Sequence, residues 1–147
     1  MAVLNHIFID YENMRQIDSA VFALDRATIT LLLGPQNGSI STTTVQQLMA
    51  HAASVELVRL EKSGKHAVDL ALAYYMGRKV IADPLTFLHI VSRDKGYDPL
   101  IEHLRSRQIK VCRHEDYAAL AKALKPKSPP SAPKTKKPGR PTGSASD

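Results

Sequence analysis

The chain has 147 residues, a formal net charge of +6 and a single cysteine. That length makes one domain with at most a tail, large enough to bury a core without disulfides, and one cysteine excludes an intramolecular disulfide and a cysteine-based zinc cluster. No apolar run is long enough to span a bilayer, and residues 1–6 lack the basic and apolar regions of a signal peptide, so a cytoplasmic protein with no membrane partner is expected.

Val3 to Ile9 is a short apolar run that reads as a buried strand ending on Asp10, with Asn13 three residues on. Met14, Ile17, Val21 and Leu24 keep helical spacing and predict a first helix. Thr28 to Leu33 is β-branched and apolar, a second strand, and Gly34-Pro35-Gln36-Asn37-Gly38 ends it. Ser41 or Thr42 caps a helix whose apolar face is Val45, Leu48, Met49 and Ala52. Val55 to Leu60 makes the third strand. A polar loop with Lys62 and Lys65 leads to a third helix from about His66 to Ala82, apolar nearly all round and so expected to be mostly buried. Phe87 to Val91 is the fourth strand, and Ser92-Arg93-Asp94-Lys95-Gly96 is its exit loop. Asp98-Pro99 opens a fourth helix with Leu100, Ile101 and Leu104 inward. Ile109 to Cys112 is a short fifth strand, and Tyr117, Leu120, Ala121 and Leu124 fit a last helix. Strands alternating with helices predict a parallel α/β sheet with helices on both faces, and the arrangement taken for it is a doubly wound sheet of order 3-2-1-4-5.

From Lys125 the apolar pattern stops. Six of the nine prolines lie beyond it, with six bases (Lys125, Lys127, Lys134, Lys136, Lys137, Arg140) and one acid, Asp147. Of the 20 bases and 14 acids, 14 and 13 remain in the body, so most of the positive charge belongs to the tail. The expected organisation is a folded body over 1–124 and a disordered basic tail over 125–147. Lys136-Lys137-Pro138-Gly139-Arg140-Pro141 resembles an AT-hook, although Pro138 stands where an arginine is usual; the plainer reading is a tail that binds phosphates without choosing sequence.

In such a sheet, ligands bind at the strand C-termini, beside the point where strand order reverses. Asp10 and Asp94 would be neighbours there. Two carboxylates so close repel unless a cation lies between them. Asp69 is the only charged residue between His66 and Arg78, in an apolar helix, and asks either for a cation or partner or for nothing more than the helix dipole. Together Asp10, Asp69 and Asp94 make an oxygen-rich site suited to Mg²⁺ or Mn²⁺. Asp98, before Pro99, reads first as a helix cap and second as a fourth catalytic acid. Asn13 orients Asp10, touches substrate or caps the first helix. Gln36, Lys62, Lys65, Arg93 and Lys95 fall on the same edge, where bases around an acidic centre suit a phosphodiester or make only a solvated rim. The six histidines lack metal-ligand spacing, and no P-loop, GxSxG or GxGxxG is present.

Ile9-Asp10-Tyr11-Glu12-Asn13, Lys65-His66-Ala67-Val68-Asp69 and Ser92-Arg93-Asp94-Lys95-Gly96-Tyr97-Asp98-Pro99-Leu100, in that order, resemble the PIN-like nucleases, in particular their NYN branch. The resemblance covers the whole body. It implies a compact α/β fold whose clustered acids bind Mg²⁺ or Mn²⁺ and cleave nucleic acid, RNA ahead of DNA. It makes Asp10, Asp69 and Asp94 the acidic ligands and Asn13 and Ser92 polar helpers. Many NYN members have a second Asp where this chain has Gly96, so the site has either three acids or Asp98 as its fourth. The expected function is a metal-dependent endoribonuclease. The alternatives are a nucleic-acid-binding or adaptor module of the same fold and, behind it, a phosphatase or phospho-acceptor of HAD or receiver type. A homo-oligomer is left open.

Overall fold

A computed structural model describes residues 4–124. Five strands, β1 (Asn5–Asp10), β2 (Ala27–Leu33), β3 (Val55–Arg59), β4 (Phe87–Val91) and β5 (Val111–His114), form one parallel sheet in the order β3-β2-β1-β4-β5. The helices are α1 (Tyr11–Met14), α2 (Thr42–Ala50), α3 (Ala67–Ala82), α4 (Asp98–Ser106) and α5 (Tyr117–Ala123), with short 3₁₀ turns at Ser19–Ala23, Ala52–Ser54 and Lys95–Tyr97. The expected doubly wound architecture and strand order are therefore found. Register pairs Ile9 with Leu31 on one side and with Val91 on the other, so Asp10 and Ser92 emerge side by side at the C-terminal edge.

Central strands covered on both faces need apolar side chains in both directions. Ile7 and Ile9 point into one core with Ile29, Leu31, Val91, Tyr117 and Leu120. Phe8 points into the other with Leu32, Val68, Leu72, Met76, Ile90 and Ile101, under α3 and α4. Polar groups inside are paired, as burial demands. The His6 ring nitrogens each lie 2.6 Å from a threonine hydroxyl, those of Thr28 and Thr30. His89 Nε2 lies 2.9 Å from Asn5 Oδ1, and its Nδ1 lies 3.0 Å from His114 Nε2. Burial, with Lys79 and His89 nearby, pulls His6 down to about 3, and burial beside His114 pulls His89 down to about 4. Both rings are neutral fold elements.

Four expectations are corrected. The first helix is only one turn: Arg15 takes a left-handed conformation (φ 62°), its N–H closes on the Tyr11 carbonyl, and a 3₁₀ turn capped by Asp18 follows. Met14, Val21 and Leu24 are nevertheless buried, so their spacing marks the inward residues and not a continuous helix. In α2, capped by Ser41 as expected, the buried residue is Thr44, while Val45 and Met49 face out. Strand β5 begins two residues later than predicted, at Val111. Helix α3 buries only Val68, Leu72 and Met76; Leu70, Tyr74 and Ile81 are exposed despite their apolar character.

Candidate active site

The site grows from the end of β1. Asp10 caps α1 by accepting the Asn13 N–H at 3.2 Å through Oδ1. Its other oxygen accepts two hydroxyls, Ser92 Oγ at 3.1 Å and Tyr97 Oη at 3.0 Å. Three donors on one carboxylate fix its rotamer. Ser92 is buried at the end of β4, and its hydroxyl also accepts the Asp94 N–H at 3.1 Å. Asn13 Oδ1 accepts the Arg93 N–H at 2.8 Å, tying the β1 exit to the β4 exit.

Asp10 is almost fully buried. Burial pushes its carboxyl above the usual carboxylate range; the Tyr97, Ser92 and Asn13 hydrogen bonds work against that rise, and the charge of Asp69 adds to it. Tyr97 is pushed up in turn, first by burial and then by the charges of Asp10, Asp69 and Asp94. Of the three acids, Asp10 touches the Tyr97 hydroxyl, and Asp69 and Asp94 lie near enough for their charges to act on it. Each is held by its own partner. Asp94 Oδ1 accepts the Gly96 N–H at 2.8 Å, and His66 Nδ1 stands 3.0 Å from Asp69 Oδ2.

Asp69, expected to need a cation or partner or only to favour the helix dipole, has a side chain that is 33% exposed and faces His66, so the burial expected of it is not found. The helix-cap reading of Asp98 is corrected too. No side-chain cap bond forms at the start of α4. Arg113 instead donates Nε to Asp98 Oδ1 at 2.8 Å and a terminal nitrogen to Oδ2 at 3.3 Å. That pairing holds the Asp98 carboxyl below its ordinary range and raises Arg113. As a fourth acid Asp98 would have to leave this bidentate ion pair, whose arginine also anchors the Ser92 carbonyl through its third nitrogen at 3.1 Å.

Gly96, at the place of the NYN second acid, has a local reason to be glycine. An added Cβ would sit 2.9 Å from Asp94 Oδ1, because the Asp94 carboxylate folds over that backbone. At Gly34 an added Cβ would run into the carboxylate of Glu12, with Cδ at 3.0 Å, so Glu12 reaches across the end of β2 beside Val68. Gln36, Lys62, Lys65, Arg93 and Lys95 are exposed on the loops of this edge and make no ion pair among the described residues. Lys136, Lys137 and Arg140 lie outside the described residues, as does the whole of 125–147.

Sequence reasoning misses Tyr97 and Arg113 as site residues. Tyr97 follows the Asp94 loop in sequence, but nothing in its spacing ties it to Asp10. Arg113 is fifteen residues from Asp98 and meets it only because β5 lies beside β4.

The donor set is all oxygen and anionic, which is the chemistry a hard divalent cation takes. Its present rotamers do not converge: among the described residues, no three of His, Cys, Asp and Glu are gathered closely enough to hold a metal ion. No helix among them is long and apolar enough to cross a membrane.

Neither curated proteins nor solved structures give a match to this chain. A family model described as a PIN domain matches residues 4–114. PIN domains are generally nucleases that use Mg²⁺ or Mn²⁺ and bind nucleic acid, mostly RNA. That match takes in all five strands and Asp10, Asp69, Asp94 and Asp98, and it covers most of the sequence: the chain belongs to the PIN domain family.

Proposed function

We propose that this chain is a metal-dependent endoribonuclease of the NYN branch, with residues 1–124 as the nuclease body and 125–147 as an accessory basic tail. The observation that carries the reading is Asp10, a buried carboxylate fixed by three donors at the β1–β4 switch point, with Asp69 raising its protonation. The three donors offset only part of the cost of burying this charge, and a cation beside it would stabilise the charged form further. Asp10, Asp69 and Asp94 would hold Mg²⁺ or Mn²⁺ after a rotamer change at Asp69 and Asp94, whose present partners are an exposed histidine and one backbone N–H. When bound, such an ion lowers the pKa of a water and stabilises the charge that develops on a scissile phosphate.

The chain's own residues supply the rest. Ser92 and Tyr97 hold Asp10 in one rotamer. Asn13 keeps the β4 exit loop against the β1 exit. Lys62, Lys65, Arg93 and Lys95, with Gln36 beside them, offer donors to the phosphates on either side of the one attacked, and phosphate contacts of this kind position a strand without reading its sequence. Asp98 belongs with Arg113 as a brace for the loop.

A second reading, a nucleic-acid-binding module of the same fold with little cleavage, is favoured by Gly96 and by the unconverged carboxylates. Incubating the full chain with labelled single-stranded RNA and DNA in Mn²⁺, Mg²⁺ or EDTA separates the two. The nuclease reading expects RNA cleavage with either metal, none in EDTA, and near-complete loss in Asp10→Asn and Asp94→Asn with the far-UV spectrum unchanged. Binding without cleavage in every metal leaves the second reading. Wild-type rates in either variant would overturn the assigned ligands.

A further inference from the structure

Helix α3 presents a second feature, unrelated to the acidic edge. Leu70, Tyr74, Gly77 and Ile81 follow one another at intervals of four, three and four residues. At 100° per residue they fall within an arc of about 60° and form one narrow line along the helix. Leu70, Tyr74 and Ile81 are 69%, 60% and 84% exposed. Such a narrow apolar line is the form of a helix–helix seam and not of a helix lying on its own core. Between the bulky residues stands Gly77, where an added Cβ would meet nothing within 4 Å. Gly77, Tyr74 and Ile81 also border an open groove of about 880 Å³, floored by the β1–β3 side chains His6, Thr30 and Glu56.

We propose that this seam is a homodimer interface, in which two copies pack α3 against α3 in antiparallel fashion. The spacing is self-complementary about a two-fold axis midway between Tyr74 and Gly77. Leu70 then faces Ile81 of the second copy, and Tyr74 lies over the second copy's Gly77, a bulky side chain above a missing one. A two-fold interface requires such reciprocity. The parallel arrangement would set Tyr74 on Tyr74, leave a gap at the paired glycines and align the two helix dipoles unfavourably. Three side chains alone provide on the order of half the ~800 Å² that each partner gives to a standard interface. The neighbouring charges argue against one other occupant. Arg78 and Lys79 border the groove, so the chain's basic segment from Lys125 onward is repelled. Asp69 leaves α3 about 100° around from Leu70, so the dimer keeps both acidic edges open, at opposite ends of the paired helices.

The seam and its pairing do not depend on whether the chain cleaves RNA. Sedimentation velocity on the full chain should show a dimer that dissociates on dilution. Gly77→Phe should be monomeric with an unchanged far-UV spectrum and, at dilutions where the wild type is also monomeric, an undiminished melting temperature, because its side chain enters open space in the monomer and the partner's Tyr74 in the dimer. In a Cys112→Ser background, Tyr74→Cys mixed with Gly77→Cys should form a crosslinked heterodimer faster than either variant crosslinks with itself. A monomeric wild type at every concentration, or a Gly77→Phe chain that still dimerises, overturns the interface. Preferential self-crosslinking of Tyr74→Cys overturns the antiparallel arrangement.

Discussion

Tyr97→Phe removes one oxygen from the site and leaves the ring that packs with Phe8, Leu72 and Ile101 in place. The lost hydroxyl donates at 3.0 Å to the buried Asp10 carboxylate. A hydrogen bond to a charged group contributes about 1.5–3 kcal/mol, and here nothing but Ser92 and the Asn13 N–H would remain to hold the charge. At ~4 °C per kcal/mol for a domain of this size, the melting temperature at neutral pH should fall by roughly 6–12 °C. The pH dependence identifies the cause. The folded-state carboxyl of Asp10 lies above its ordinary value of 3.8, so its protonated form contributes stability that is present below 3.8 and is lost as pH rises through the folded value. Removing a donor to the ionised form pushes that folded value higher. The gap between variant and wild type should therefore be small below 3.8, widen as pH rises through the two folded values, and level off above them. Thermal denaturation of both proteins in chelator across this range measures the gap without metal. If it is the same at acid and neutral pH, or absent at both, Tyr97 does not stabilise an ionised Asp10 and its assigned role at the site fails.

Arg113→Ala should cost about 1–3 kcal/mol, since it frees the Ser92 carbonyl and Asp98 together, whereas Asp98→Ser should cost under about 1 kcal/mol because Asp98 is well exposed and its attraction is screened; denaturant titration of both variants tests that order, and the reverse order would make the ion pair the stabilising element. Gly96→Ala should leave the fold intact but displace the Asp94 carboxylate from the Gly96 N–H, lowering RNA cleavage while binding persists, and an unchanged cleavage rate would show that Asp94 has room to spare. Deleting residues 125–147 should leave the melting temperature unchanged and flatten the dependence of nucleic-acid affinity on salt by ~0.7–0.9 in log–log slope for each phosphate that the tail neutralises in the intact chain. An unchanged slope removes Lys136, Lys137 and Arg140 from binding, and an A·T preference abolished by Arg140→Ala would favour the AT-hook reading over the plainer one.

Periodicity and composition were enough to determine five strands and their alternation with helices, while the strand order was an expectation of the fold class and not of the residues themselves. A strand buried on both faces must be apolar throughout, and a parallel strand needs a crossover long enough for a helix, so both constraints are written in local residue types. The same logic put Asp10 and Ser92 on one edge, because each ends its strand and the sheet order makes those strands neighbours. Local pattern was a poorer guide to what each side chain touches. Met14, Val21 and Leu24 have the spacing of a helix and the burial of one, yet a left-handed Arg15 breaks the backbone between them. Asp69 stands among apolar neighbours in sequence, but the helix turns it to solvent and to His66, since a sequence neighbour one residue away is about 100° away on a helix. Asp98 looks like a cap until β5 brings Arg113 to it, and Tyr97 becomes a partner of Asp10 only when the β4 exit folds back across β1. Burial and hydrogen bonding of a single carboxylate depend on residues far apart in the chain, so only the tertiary structure decided which of the acids is held, by what, and which remains free to move.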